Sequence, residues 1–188
     1  MVRKLKHHET RLLRKVDLLT YKSDGPDHRS ASIRRRYQLR DAGEYDKYNA
    51  LCGRIRHLAH LLAELAPDDP VRLATEEKLL EKLHVVGVLK RSRAQGAGLS
   101  TAEHDVTVSS FCRRRLAVVM VRTRMVEHVS AACRFIEQGH VRVGTDVVTD
   151  PAYLVPRGVE DFITWSEGSK ILRRVREYRG ERDDFELA

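Results

Sequence analysis

Residues 135–144 read FIEQGHVRVG, and the fold turns on them. Just upstream, Val126, Val129, Cys133 and Ile136 recur at helical spacing, with Glu127, Ser130 and Arg134 on the other side. Gly139 ends that helix, because a left-handed cap position costs glycine little. His140-Val141-Arg142-Val143 then alternates as a strand with its valines inward and Arg142 outward. Gly144-Thr145-Asp146 turns it, Val147-Val148 starts the return, and Asp150-Pro151 breaks that return. Residues 159–165, VEDFITW, have the β-branched and aromatic content of a closing strand.

Toward the N-terminus, Ser109 or Ser110 is placed to cap a helix beginning near Phe111. Cys112, Leu116 and Val119 share one face of it, and Arg115 and Arg122, seven apart, point the same way. The unit is therefore helix–helix–turn–strand–strand, and its outward residues are disproportionately arginine. Further upstream, Tyr48, Leu51, Ile55, Leu58, Leu62 and Leu65 mark a helix over 44–65 that ends before Pro67. Asp69-Pro70 is an N-cap and first-turn pair for the next helix, which Leu73, Leu80 and Leu83 carry to Gly87. Leu12, Leu13, Val16 and Leu19 suggest a short helix before Gly25-Pro26. Residues 29–40, RSASIRRRYQLR, hold five arginines and few apolar anchors, so they read as a basic arm that orders on RNA. Residues 90–104 show no periodicity and read as a flexible linker; their QGAGL lacks the Gly-Lys-Ser/Thr of a phosphate loop.

Charge narrows the class. The chain has 188 residues, Lys+Arg 35 against Asp+Glu 27, and a formal charge of +8. Twenty-six of those cations are arginine, whose planar fork grips phosphate bidentately. Residues 1–60 carry 15 cations and 7 acids, residues 61–105 carry 6 and 8, and residues 106–145 carry 7 and 2. Two basic regions around a near-neutral segment favour nucleic acid over a merely solvated face. The longest purely apolar run, LAVVMV at 116–121, is far short of the ~20 residues of a membrane span. Cys52, Cys112 and Cys133 are odd in number and widely spaced, which suits reduced thiols in the nucleus or cytosol.

RRRLAVVMVRTRMVEHVSAACRFIEQGHVRVG, followed by VVTDPAYLV and DFITW, resembles the ribosomal protein S-four type RNA-binding domain over about residues 110–166. RRYQLRDAGEYDKYNALCGRIRHLAHLLAEL and LLEKLHVVGVL resemble the helical N-terminal part of the small-subunit ribosomal protein and its relatives. MVRKLKHHE with LLRKVD, and SKILRRVREYRGERDDFEL at the end, are similar to the S-four-domain component family of the U-three small nucleolar ribonucleoprotein. The resemblance implies an α+β chain: a helical N-terminal region with a basic arm (1–89), a linker (90–108), a compact S-four-like domain of two helices on a small antiparallel sheet (109–166), and a C-terminal helix with an acidic tail (167–188).

It also implies a non-catalytic, cofactor-free RNA clamp in the nucleolus. Its partners would be the U-three small nucleolar RNA and pre-ribosomal RNA, an M-phase phosphoprotein scaffold and a Brix-domain protein. The expected RNA-binding residues are Arg113, Arg114, Arg115, Arg122, Arg124, Arg134, His140 and Arg142, with Arg34, Arg35, Arg36 and Arg40 in the arm. Arg115 and Arg134 match the motif's arginines and carry the strongest expectation; some of the others are expected to pair with Glu127 or Glu137. Phe185 and Leu187 in the tail suit either a frayed end or a docking segment for a partner. Two rivals stand beside this reading. S-four-like modules also decorate pseudouridine synthases and tRNA synthetases, but no catalytic-sized remainder is present here. A permanent small-subunit ribosomal protein would share the composition. His57 and His60, three apart, lack further ligands at metal-binding spacing and read as solvated or packing residues.

Overall fold

The computed structural model describes residues 3–15, 29–40 and 42–181. Val16, Leu19, Gly25 and Pro26, and the tail residues Phe185 and Leu187, lie outside that set. The chain forms two compact units, residues 1–45 and 46–188.

The first unit holds α1 (His7–Lys15) and α2 (Arg29–Tyr37). Glu9 anchors the start of α1 by accepting from the Lys6 amide at 2.8 Å and from Arg3 Nη2 at 2.7 Å. The segment expected to order only on RNA is helical here. Ile33 and Tyr37, four apart on one face of α2, are both buried, and Arg34, Arg35 and Arg36 fill the last turn, where cations complement the helix dipole. The Arg36 guanidinium lies 5.6 Å from the centre of the Tyr37 ring.

α3 (Ala42–Glu64) leads into the second unit, followed by α4 (Pro70–Val86), α5 (Leu99–Asp105), α6 (Val108–Cys112), α7 (Leu116–Arg122) and α8 (Val129–Glu137). β1 (Val141–Val143), β2 (Asp146–Val147), β3 (Ile163–Trp165) and α9 (Lys170–Arg179) complete it. On α3 the expected stripe holds at Tyr48 and Leu62, but the buried side turns toward Cys52 and Ala59 and away from three of the leucines. Tyr48, Cys52, Ala59 and Leu62 are buried, while Leu51, Leu58 and Leu65 are exposed. The smaller Cys52 and Ala59 permit closer packing than leucines would, and the Tyr48 ring stacks on Phe111 at 5.9 Å. Burial pushes the Cys52 thiol above its ordinary value, against an opposing influence of Arg56 and a backbone hydrogen bond, which disfavours the reactive thiolate. α4 has the expected ends: Asp69 Oδ1 accepts from the Val71 amide at 2.8 Å, and Gly87 at φ 84° donates to the carbonyls of Leu83 and His84.

The supposed flexible linker is ordered. Residues Arg93–Gln95 make a 3-10 turn and α5 follows at once, its Gly98 amide donating to Thr101 Oγ1 at 2.7 Å. Leu99, Ala102 and Val106 are buried at spacings of three and four, a helical stripe too short to stand out among so many Gly, Ser and Ala. Arg56 on α3 clamps it by donating to the Glu103 and Val106 carbonyls at 3.1 and 2.8 Å.

The helix expected to start near Phe111 is two helices. Thr107, rather than Ser109 or Ser110, caps α6, and its hydroxyl accepts from the Ser110 amide at 3.3 Å. The chain then straightens through Arg114 and Arg115 before α7, because those residues pair with the segment near 154. The Leu116 amide donates to Tyr153 O and the Val155 amide to Arg114 O, both at 2.8 Å. α7 and α8 pack on a sheet of order β2-β1-β3, both pairings antiparallel, with Val143 opposite Asp146 on one side and Ile163 on the other. Only residues 163–165 of the expected closing strand are extended; Arg157–Phe162 is a 3-10 turn begun by Pro156. Leu116, Val119, Met120, Ala132, Ile136, Val141, Val155 and Ile163 form the core between helices and sheet. Gly139 turns α8 into β1 at φ 73°, as its place in FIEQGHVRVG predicts.

Candidate nucleic-acid interface

Four elements of the second unit place the arginines that the sequence singles out, and they fall into three groups. The first is exposed: Arg113 before α7, Arg122 at its end, Arg124 just past it, and Arg134 on α8. Arg124 sits at φ 59°, in the left-handed region, where the chain leaves α7.

The second group is inside. Arg115 is 1% exposed and donates from Nη1 to the Tyr48 hydroxyl at 3.4 Å. The expectation that Arg115 and Arg122 share an outward face is corrected. Arg115 is the non-helical N-cap of α7, so the heptad relation that would align the two does not apply. Arg114 is 4% exposed; its Nε donates to the Val155 carbonyl at 3.0 Å and its Nη1 to Glu160 Oε2 at 3.1 Å. Burial lowers the Arg114 guanidinium from its usual value. Neither side chain stands out from the surface as a fork free to grip RNA.

The third group is engaged at the surface. Arg142 points outward from β1 but donates from Nε to Thr164 Oγ1 at 2.9 Å and from Nη1 to Glu167 Oε1 at 2.7 Å. His140 is half-buried, its Nδ1 3.1 Å from Ser169 Oγ, which also caps α9 by accepting from the Ile171 amide. Glu160 pairs with Arg114 and Arg122, and Glu167 with Arg142, two acids that were not among the expected partners. The expected Glu127 lies instead 3.7 Å from His128 Nε2. In the first unit, Arg35, Arg36 and Arg40 are exposed and Arg34 is half-buried.

The structure also gathers cations that local sequence patterns hide. Lys90, Arg113, Arg114, Arg122 and Arg157 line one cavity of about 480 Å³, against Glu160 and Asp161. Arg157 lies outside the basic stretch that charge counting picks out, and Lys90 sits at the end of the first helical region. The pairing of residues 114–116 with 153–155 carries Arg157 alongside the arginines of residues 113–122. Arg157 is pinned by donating to the Leu89 and Lys90 carbonyls at 2.6 and 3.2 Å. Arg114 lies against Gly87, where an added Cβ would stand 2.7 Å from its Nε. Gly87→Ala therefore meets both a left-handed backbone and a displaced guanidinium, and it lowers unfolding free energy by about 2 kcal/mol. Gly96→Ala, at φ 85° with open space around it, costs about 1 kcal/mol. Urea denaturation of the two variants checks the difference. Lys170, Arg173 and Arg174 add a further exposed basic face on α9, and Arg179 is exposed at its end. Among the described residues no group of His, Cys, Asp or Glu could hold a metal ion, and no helix is long and apolar enough to cross a membrane. His60 instead pairs with Glu64 at 3.2 Å.

Such a surface can bind the phosphate backbone and recognise shape. A-form RNA exposes phosphates and 2′-hydroxyls rather than a readable major groove, and arginine forks suit the first of these.

Comparison with known proteins matches residues 4–112 to the Ribosomal protein S4/S9 N-terminal domain and residues 114–161 to the S4 domain. The chain is 48% identical over 188 residues to the U3 small nucleolar ribonucleoprotein protein IMP3 of Saccharomyces cerevisiae, covering 100% of both chains. It is 46% identical over 187 residues to the protein of that name in Homo sapiens, covering 100% of this chain and 99% of the relative. With small ribosomal subunit protein uS4 of Hyperthermus butylicus it shares 31% identity over 140 residues, 74% of this chain and 75% of the relative.

Proposed function

We propose a function from the fact that the chain belongs to the family of the U3 small nucleolar ribonucleoprotein protein IMP3: it is a non-catalytic, RNA-binding component of the U3 small nucleolar ribonucleoprotein. The observation that carries this is end-to-end identity of 46–48% to three members of that family. Identity to uS4 is lower and partial, which favours the ribonucleoprotein role over a permanent ribosomal one.

Within that role the chain stabilises the pairing of U3 RNA with pre-ribosomal RNA, serving early 18S processing and small-subunit assembly in the nucleolus. The physical support is electrostatic. Two paired RNAs carry dense like charge, and a cationic surface favours the paired state by neutralising phosphates and releasing counterions. The exposed Arg113, Arg122, Arg124 and Arg134 supply that surface in the second unit, and Arg34, Arg35, Arg36 and Arg40 in the first. Arg142 and His140 contribute less, being engaged by Thr164, Glu167 and Ser169. An M-phase phosphoprotein scaffold and a Brix-domain protein are the protein partners of this reading.

RNA crosslinking with sequencing, on the tagged chain in cells, tests it. Crosslinks on U3 RNA and on pre-ribosomal RNA are the expected outcome. Crosslinks confined to mature small-subunit RNA would assign it to the ribosome instead.

A further inference from the structure

The cavity beside α7 has more positive charge than its own carboxylates balance. Five cations and two acids line it, an excess of three positive charges in one concave site. Its cations differ in freedom. Arg114 and Arg157 are walls, fixed on the carbonyls of Val155, Leu89 and Lys90. Arg122 is half-exposed and pairs with Glu160, and Arg113 donates to the Ser110 hydroxyl at 3.3 Å. Glu160 is shared: one oxygen faces Arg114 and the other Arg122. Burial, then the neighbouring charges of Arg114 and Arg157, lower the Arg122 guanidinium from its usual value, so the cluster repels itself. A concave cationic site focuses its field and raises the local concentration of anions. Among the described residues no aromatic ring lines it, so it offers no stacking platform for a base. Convergent guanidinium forks match the several acceptor oxygens of a phosphate.

We propose that this cavity seats one backbone phosphate of the bound RNA, with Arg122 leaving Glu160 to hold it together with Arg113 and Lys90. Glu160 is then a resident anion that the RNA displaces. This rests on the RNA-binding function above and adds to it a specific seat and an internal competitor.

The test uses the full chain and a fluorescein-labelled RNA duplex of about 16 base pairs, followed by anisotropy across salt concentrations. Arg122→Gln is expected to weaken binding about tenfold and to reduce the salt slope by about 1. Glu160→Gln is expected to tighten binding about threefold, because it removes the competitor. The double variant is expected to match Arg122→Gln alone, since Glu160 acts through Arg122. A structural role for Glu160 would not tighten binding. Thermal melts establish that each variant is folded, and the half-exposed Arg122 keeps the test decisive if Glu160→Gln does not fold.

Unchanged binding in folded Arg122→Gln overturns the seat. Duplex binding by the unsubstituted chain keeps the RNA-binding reading standing whatever Arg122→Gln does; an unsubstituted chain that binds no duplex overturns both readings. A separate arm adds inorganic pyrophosphate. A melting-temperature rise that Arg122→Gln abolishes, with duplex binding unaffected by that variant, would assign the cavity to a free phosphate compound and overturn the RNA seat.

Discussion

Arg115→Ala lowers the unfolding free energy by about 3–5 kcal/mol, an effect on the fold rather than on an RNA contact. The side chain is among the largest fully buried ones in the chain, in a class that also holds Leu80, Leu89, Leu116, Met120 and Ile136. Truncation removes a long stem from close packing and leaves a cavity between α3 and the start of α7. It also takes from the Tyr48 hydroxyl the guanidinium that donates to it at 3.4 Å. Arg115→Met keeps most of the volume, so its cost is smaller, about 1–2 kcal/mol. Urea denaturation followed by circular dichroism checks both. An unchanged midpoint for Arg115→Ala would place the side chain at the surface, contrary to the structure. A phenotype of Arg115→Ala in cells accordingly measures how much chain is folded and says nothing about where RNA sits.

Substitution of Arg124 and Arg134 tests the proposed RNA contact without disturbing the core. Both are exposed. Arg124→Gln with Arg134→Gln is expected to weaken binding to structured RNA by about 2 kcal/mol, or about thirtyfold. The slope of log affinity on log salt falls by about 1.5, because two phosphates are no longer neutralised. Melting temperature stays within about 2 °C of the parent, because surface substitutions of this kind change stability by at most ~0.5 kcal/mol. Anisotropy titrations at several salt concentrations, with a thermal melt of each sample, give all three quantities. Equal affinity and equal slope would remove these two arginines from the interface and leave α2, α9 and the cavity beside α7 as its remaining basic surfaces.

The local grammar of the S4 domain is legible from sequence because short-range physics writes it. The apolar spacing of Val129, Cys133 and Ile136 marks α8, although the helix begins at Val129 and leaves the expected Val126 in the preceding loop; Gly139 marks its left-handed end, and the alternation of Val141, Arg142 and Val143 marks β1. Asp69 and Gly87 delimit α4 for the same reason, since caps are chosen by the few residues that satisfy orphan backbone groups. Net charge and its arginine bias likewise follow from composition alone and point to a polyanion.

Which arginines are free to meet that polyanion depends on contacts distant in sequence. Arg113, Arg114 and Arg115 are consecutive and chemically identical, and no local pattern distinguishes them. The first is exposed, while the next two are buried because the chain straightens there to pair with residues 153–155. The same pairing, between residues some forty positions apart, carries Arg157 and Glu160 to Arg114 and Arg122 and so creates the cavity. Small residues misled at two places, on α3 and in α5, where Cys52, Ala59 and Ala102 are buried although their side chains carry little hydrophobic signal. A residue's type states what it can bind. Its burial and its neighbours, set by the folded chain, determine whether it does.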